Sequence, residues 1–135
     1  MTVRLNDYHD LPVLQALYEA AGHPPTMGWR WVGDFSGYWA MAEDEQGRAV
    51  GCVQLGLSRP QGTLEALCVP TMFPKRIRAI IVRELSRFAV HLFAALGMQS
   101  IRFQADARLE GWLQVLEHRG ARRLHAHPTY LWEIV

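Results

Sequence analysis

The chain has 135 residues, half of them hydrophobic and a fifth charged, so it is long enough to bury a core and too apolar to be disordered. A formal net charge of +1 excludes a global attraction to nucleic acid or to anionic membranes. Two cysteines and no apolar leader favour a reducing, cytoplasmic location, and no apolar run approaches the ~20 residues of a membrane span.

The first predicted elements are a short strand and a helix. Alternation over Thr2 to Leu5 indicates the strand. Asp10 is a candidate N-cap for the helix, with Pro12 in its first turn, and Gly22 marks its end. The residues at helical spacing between them are Leu11, Leu14, Leu17, Tyr18 and Ala21.

An aromatic loop follows over residues 23–39. It is rich in Gly and Pro, and it carries Trp29, Trp31 and Phe35, which is more aromatic mass than a passive connection requires. We expect a lid over a substrate, or a surface for a protein partner. Rings of this kind, Trp39 included, also stack on ligands, but without a broad basic face they more often pack over a small core.

Three strands are then predicted as an antiparallel meander: Tyr38 to Glu43, Ala49 to Leu57, and a strand from Thr63 to Val69. Polar turns at 44–47 and 58–62 join them. If Leu57 and Thr63 face each other in an antiparallel hairpin, the position numbers of any two facing residues add up to the same total. This rule places Cys52 opposite Cys68. We expect adjacent, reduced thiols on neighbouring strands.

A basic turn and a long helix follow the third strand of the meander. The turn runs from Phe73 to Ala79, and the helix runs from about Arg76 to a C-terminal stop at Gly97. Its apolar residues recur every three to four positions: Ile77, Ile81, Leu85, Phe88, Leu92 and Leu96. The strand, turn and helix order presents unpaired amide groups at a positive helix end, so we predict a phosphate or nucleotide site here. The alternative is a solvated start of a helix.

The C-terminal region is predicted to hold a strand, a short helix and a hairpin. Ser100 to Asp106 alternates as a strand, Leu109 to Leu116 has helical spacing, and two strands flank His127 and Pro128. We find no internal repeat and no long linker, so residues 1–135 are expected to form a single domain.

The order of these elements resembles the GNAT N-acetyltransferase superfamily over essentially the whole chain. The stretch Val3 to Leu5 followed by Asp10 to Leu14 looks like the opening strand and helix of that family, and Gly120-Ala121 sits where a Gly-Phe pair is usual. The resemblance implies an α/β (α+β) fold, with a mixed, mostly antiparallel sheet of six to seven strands flanked by three to four helices. It also implies acetyl-CoA as the cofactor and an amine, on a small molecule or a protein, as the acceptor.

The resemblance further implies which residues hold the cofactor. In the family, acyl-CoA lies between the fourth and fifth strands, which implies that the backbone of Leu67, Cys68 and Val69 pairs with its pantetheine arm. The family's pyrophosphate turn aligns with 74–79, so the cofactor residues become Lys75, Arg76, Ile77, Arg78 and Ala79. Ile77 replaces a residue that is usually glycine, and its Cβ is expected to hinder the approach of a phosphate. The three basic side chains are expected to offset this loss.

Catalytic residues follow from the same resemblance. Glu65 fits the position of the general base, because it is the only acidic residue in its apolar strand, and partial burial would favour that role. The alternative is a carboxylate that faces solvent. The family's general-acid tyrosine aligns with Leu116, which has no proton to give. Tyr130 on the last strand is the other candidate for the general acid, but its spacing does not favour that role over a structural one. The Trp29 and Trp31 loop is expected to admit the acceptor.

Other chemistries are weaker interpretations of the sequence. His118, His125 and His127 lie close together, but no Cys or acidic residue nearby completes a ligand set, so we expect no metal. Both cysteines lie in apolar strands, where thiols are usually inert.

Two functions remain open at this point. The first is an acyl-CoA-dependent N-acyltransferase. The second, favoured by Ile77 and Leu116, is a catalytically lapsed GNAT-fold protein that binds a partner through the aromatic loop. A glycine-poor basic turn without the tyrosine also resembles bacteriophage GNAT-like proteins of virion assembly, which implies a virion-associated location.

Overall fold

The structure is a computed structural model that describes residues 1–23, 37–57, 60–104, 122–124 and 129–133. Two α-helices, a 3₁₀ turn and seven strands lie in these ranges. In chain order they are β1 (Thr2–Leu5), the 3₁₀ turn (Tyr8–Asp10), α1 (Leu11–Ala20), β2 (Tyr38–Glu43), β3 (Ala49–Gly56), β4 (Gln61–Cys68), α2 (Lys75–Ala95), β5 (Ser100–Gln104), β6 (Arg122–Leu124) and β7 (Thr129–Glu133).

The strands form one mixed sheet in the order β1-β2-β3-β4-β5-β7-β6. β1 and β2 are antiparallel, as are β5 and β7, and β6 and β7, whereas β4 and β5 are parallel. The mixed α+β architecture expected from the sequence is confirmed. Side chains are described for five strands, β1 to β5, and for two α-helices. The described residues thus contain fewer α-helices than the three to four expected, and fewer strands with described side chains than the six to seven expected.

The chain divides into two compact units. The first contains residues 1–54 and 66–88, and the second contains residues 55–65 and 89–135. β4 passes from the second unit to the first between Glu65 and Ala66. The single domain expected from the sequence stays a prediction.

The core of the first unit is built on α1. The apolar spacing predicted this helix. Its apolar side packs against apolar side chains of β2, β3 and β4, because burial removes both surfaces from water. The buried cluster consists of Leu14, Leu17, Ala21, Trp39, Met41, Cys52 and Cys68. Trp39 is only 1% exposed, so this ring of the aromatic loop belongs to the core.

Asp10 has a different role from the one predicted. It stands at the N-cap position of α1, but its side chain makes no capping hydrogen bond there. Its carboxylate instead accepts hydrogen bonds from the Asp7 backbone N–H at 2.8 Å and from both terminal nitrogens of Arg4 at 2.8 and 2.9 Å. Arg4 also donates its Nε–H to Glu43 at 2.7 Å, so a single cation ties β1 to β2 and to the start of α1.

The second helix, α2, begins one residue earlier than predicted and ends as predicted. Gly97 has φ +77°, and the amides of Gly97 and Met98 donate to the carbonyls of Ala94 and Phe93 at 3.1 and 3.0 Å. This is a Schellman motif, which requires a residue that tolerates a positive φ. The fully buried residues of α2 are Ile81, Val82, Leu85, Ala89 and Phe93, whereas Ile77, predicted for this face, is 40% exposed.

The second unit is organised by β4, β5 and the C-terminal hairpin. Gln61 to Leu64 pair in parallel with Ser100 to Phe103, and a side-chain hydrogen bond of 3.0 Å joins Gln61 to Ser100. The predicted pairing of two strands about His127 and Pro128 is confirmed by β6 and β7. The predicted helix 109–116 lies outside the described residues.

Candidate functional site

The end of β4, the turn after it and the start of α2 form the candidate site. Cys68, Val69 and Pro70 are buried, and the chain becomes exposed at Thr71. The backbone N–H of Thr71 donates to the Ala20 carbonyl at the end of α1, at 3.1 Å. The turn is therefore fixed at its start by the last turn of α1.

The N-terminus of α2 carries the predicted basic cluster. The first helical hydrogen bond runs from the Arg78 N–H to the Pro74 carbonyl at 3.0 Å, so the amides of Lys75, Arg76 and Ile77 come before the first intrahelical donor. The Lys75 and Arg76 side chains are exposed beside these amides, and Arg78 and Ala79 are half-buried. Amide dipoles and cations at one helix end favour an anion, and a phosphate in particular.

Ile77 lies on one side of this helix end. It lines an apolar groove of about 330 Å³ together with Phe73 and Ile81 of the turn and helix, Met1, and the start of β3 with its preceding turn (Asp44, Arg48, Ala49 and Val50). At 3.6 residues per turn, positions 75 and 79 lie nearly opposite position 77 around the helix. A phosphate that approaches over Lys75 and Ala79 therefore meets the helix on the side away from the Ile77 side chain.

Glu65 is exposed on β4. The structure thus lacks the partial burial that favoured a general base, and it agrees with the alternative of a solvent-facing carboxylate. Glu65 lies in the second unit, whereas Leu67, Cys68, Val69 and the basic turn lie in the first.

Ala66 follows Glu65 and was missed by the sequence reasoning. It has φ +49°, and it is the only non-glycine residue with a positive φ in the part of the chain that the structure describes. Residues with a Cβ rarely adopt this left-handed conformation, and alanine carries no sequence signal for it. The peptide groups on both sides of Ala66 are consequently turned away from the directions they have in a regular strand.

The predicted thiol pair is confirmed. β3 and β4 are neighbours in the sheet, and both cysteines are reduced and fully buried in one cluster. Burial, together with the Cys68 contact, raises the pKa of the Cys52 thiol well above its usual value. Because the thiolate is the reactive form, a raised pKa agrees with the inert buried thiol that the sequence suggested.

Several predicted site residues lie outside the part of the chain that the structure describes. Trp29, Trp31, Leu116 and the three histidines of the C-terminal region lie outside the described residues. Tyr130 is described by its backbone alone, which pairs with Phe103 and Arg123. Among the described residues, no three side chains come together as metal ligands, and no helix has the length and apolarity that a membrane span requires.

Comparison with solved structures identifies the fold. The chain superimposes on the ribosomal-protein-S18-alanine N-acetyltransferase from Escherichia coli with a TM-score of 0.79 and 11% identity, over 98% of this chain and 93% of that one. A GNAT family acetyltransferase from Staphylococcus aureus gives a TM-score of 0.76 and 11% identity, over 99% and 100%. A GNAT family N-acetyltransferase from E. coli in complex with CoA gives a TM-score of 0.66 and 15% identity, over 99% and 81%.

These similarities establish a GNAT fold. At the level of sequence, no family model matches the chain and no curated protein is similar to it.

Proposed function

We propose that this protein is an acyl-CoA-dependent N-acyltransferase that transfers an acetyl group to an amine. The observation that carries the proposal is the start of α2, where three successive amides come before the first intrahelical donor, beside two exposed cations, Lys75 and Arg76. This arrangement fits the diphosphate of coenzyme A, and the sequence resemblance aligns it with the pyrophosphate turn of the GNAT family.

In this proposal each part of the site has a separate task. Lys75, Arg76 and the α2 amides hold the phosphates of CoA, with Arg78 and Ala79 in the next turn. The backbone from Leu67 to Val69 pairs with the pantetheine arm. CoA, when bound, supplies an activated acyl group. Glu65 is proposed to receive the proton of the incoming amine, and Trp29 and Trp31 are proposed to border the acceptor.

Cofactor binding is tested directly by titrating the protein with acetyl-CoA. A ligand at ~100 times its dissociation constant adds ~2.7 kcal/mol to stability, which a thermal-shift assay detects easily. Lys75→Ala and Arg76→Ala should each weaken binding about fivefold to tenfold, because each removes one charge-assisted contact with a phosphate.

Arg87→Ala is the matched control. Arg87 is an exposed arginine of the same helix, and it pairs with Glu84 at 3.7 Å, three turns from the N-terminus. Its loss should leave CoA affinity unchanged. Equal weakening by Arg76→Ala and Arg87→Ala would mean that CoA senses only the overall charge, and the proposed phosphate site would be wrong.

A catalytically lapsed GNAT-fold binding protein is the second candidate. The exposure of Glu65, which lacks the partial burial that favours a general base, supports it. The two candidates differ in turnover: release of free CoA thiol with a panel of amines and peptides supports the enzyme, and binding without turnover supports the second candidate. The protein partner at the 23–39 loop, the bacteriophage resemblance and the cytoplasmic location stay predictions.

A further inference from the structure

The left-handed conformation of Ala66 in β4 requires a stabilising contact. Ala66 has φ +49°, a conformation that its Cβ disfavours, inside a strand whose earlier residues, Gln61 to Leu64, pair regularly with β5. Such conformations persist only where the surroundings over-determine them, and they mark places where a backbone direction matters.

The Cys68 thiol contacts the backbone of Ala66 directly. Its Sγ donates a hydrogen bond to the Ala66 carbonyl oxygen at 3.1 Å, two residues back along the same strand. Cys68 is fully buried, so water does not compete for that carbonyl at the sulfur. A regular strand points the carbonyl of residue i−2 along the sheet rather than at the side chain of residue i, and this bond therefore requires the turned peptide group.

Cys52 and Cys68 lie on neighbouring strands and belong to the same buried cluster around α1. Apolar side chains of that cluster surround the Cys68 thiol, and its hydrogen-bond acceptor is the Ala66 carbonyl oxygen.

We propose that Cys68 is a positioning residue, whose thiol holds Ala66 in the left-handed conformation and thereby directs the peptide groups of Leu67 to Val69 toward the pantetheine of acyl-CoA. The second half of this statement rests on the proposed function. The first half, the hold on Ala66, is independent of any ligand.

The hold on Ala66 is tested by nuclear magnetic resonance with the alanines labelled. The Cα and Cβ shifts and the amide coupling of Ala66 distinguish a left-handed from an extended residue. Cys68→Ala should move Ala66 to extended values, and Cys68→Ser, which keeps a donor, should retain the left-handed ones. Cys68→Val fills the space without a donor and replaces Cys68→Ala if that variant does not fold.

Cys52→Ala is the matched control, because it removes an equally buried thiol of the same cluster and leaves the bond from Cys68 to Ala66 in place. It should leave the Ala66 signals left-handed. If Ala66 stays left-handed in Cys68→Ala or Cys68→Val, the fold rather than the thiol sets its conformation, and the proposal is wrong.

The effect on the ligand is tested by a rescue. Glycine adopts a positive φ without a steric cost, so Ala66→Gly makes the thiol unnecessary. Cys68→Ala should weaken acetyl-CoA binding about tenfold, the equivalent of ~1.4 kcal/mol, and the double variant with Ala66→Gly should restore it to within about threefold. Weakening that Ala66→Gly does not rescue would overturn the positioning role.

The two proposals fail in different ways. If the parent protein binds no acetyl-CoA while Ala66 responds to Cys68→Ala, the proposed function and the ligand half of this proposal are wrong, and the hold on Ala66 is supported. If the parent binds acetyl-CoA and Ala66 does not respond, only the role of Cys68 is wrong.

Discussion

The carboxylate of Asp10 is expected to make a large contribution to stability, and Asp10→Asn measures it. The Asp10 side chain is 11% exposed and accepts three hydrogen bonds, two of them from the Arg4 guanidinium. An asparagine keeps the shape, but it removes the charge and turns an NH₂ toward a donor. Hydrogen bonds to charged groups contribute ~1.5–3 kcal/mol, and Arg4 is 41% exposed, which screens its share. We expect a loss of about 2 kcal/mol, seen as a fall in Tm of roughly 8 °C.

The pH dependence of that loss is a stricter test. Hydrogen bonds from Arg4 are the main cause that lowers the pKa of Asp10 below its reference value of 3.8, and the Asp7 amide adds to this. A lowered pKa in the folded state means that the stabilisation is complete above pH 3.8 and is lost as the pH falls through the folded pKa. The gap in Tm between the parent and Asp10→Asn should therefore be constant near neutral pH and close in acid.

The control for this experiment is Asp44→Asn. Asp44 also accepts hydrogen bonds from two backbone amides and from an arginine, Arg48, but that arginine is 75% exposed. Asp44→Asn should therefore lower the Tm less than Asp10→Asn does. A difference between parent and Asp10→Asn that persists undiminished in acid would refute the ion pair as its source, since a protonated Asp10 no longer offers Arg4 a charge.

Three further outcomes are expected. Measured by calorimetry, Ile77→Gly should leave acetyl-CoA affinity within about twofold of the parent, whereas Ala79→Ile should weaken it about tenfold, because position 79 lies on the same side of the helix as Lys75. A larger effect of Ile77→Gly than of Ala79→Ile would mean that the phosphate approaches over Ile77. Gly51→Ala should cost ~1–3 kcal/mol in denaturant unfolding, because its Cβ would lie 2.5 Å from the Ile81 side chain, and the same substitution should cost less in an Ile81→Ala background. Glu65→Gln should abolish acyl transfer and keep CoA affinity; retained turnover would exclude Glu65 as the base.

Local sequence patterns were sufficient to predict the two helices and the neighbouring strands β2, β3 and β4. α1 and α2 followed from apolar spacing, the stop at Gly97 followed from the need for a positive φ, and the Cys52 and Cys68 pair followed from the length of one turn. In each case the deciding physics acts between residues that are close in sequence, or across one hairpin.

Tertiary effects decided the residues that sequence reasoning missed or misread. Asp10 is a good N-cap residue by type, but Arg4 offers its carboxylate two charged donors, which outweigh a single amide. The left-handed conformation of Ala66 depends on a contact with Cys68, and an alanine in the sequence gives no indication of a positive φ. Ile77 continues a helical stripe that the neighbouring strands do not cover, so periodicity alone misjudged its burial.

The bond from Thr71 to Ala20 links two segments that are fifty-one residues apart in sequence. Helix ends fray by local unfolding, and a backbone amide exchanges with solvent only when its acceptor is released. The Thr71 amide should therefore exchange its hydrogen at the rate at which the last turn of α1 opens, although Thr71 belongs to the approach to α2. A substitution on α1 that promotes fraying, such as Ala16→Gly, should speed exchange at Thr71 and leave Arg78, whose acceptor is local, unchanged.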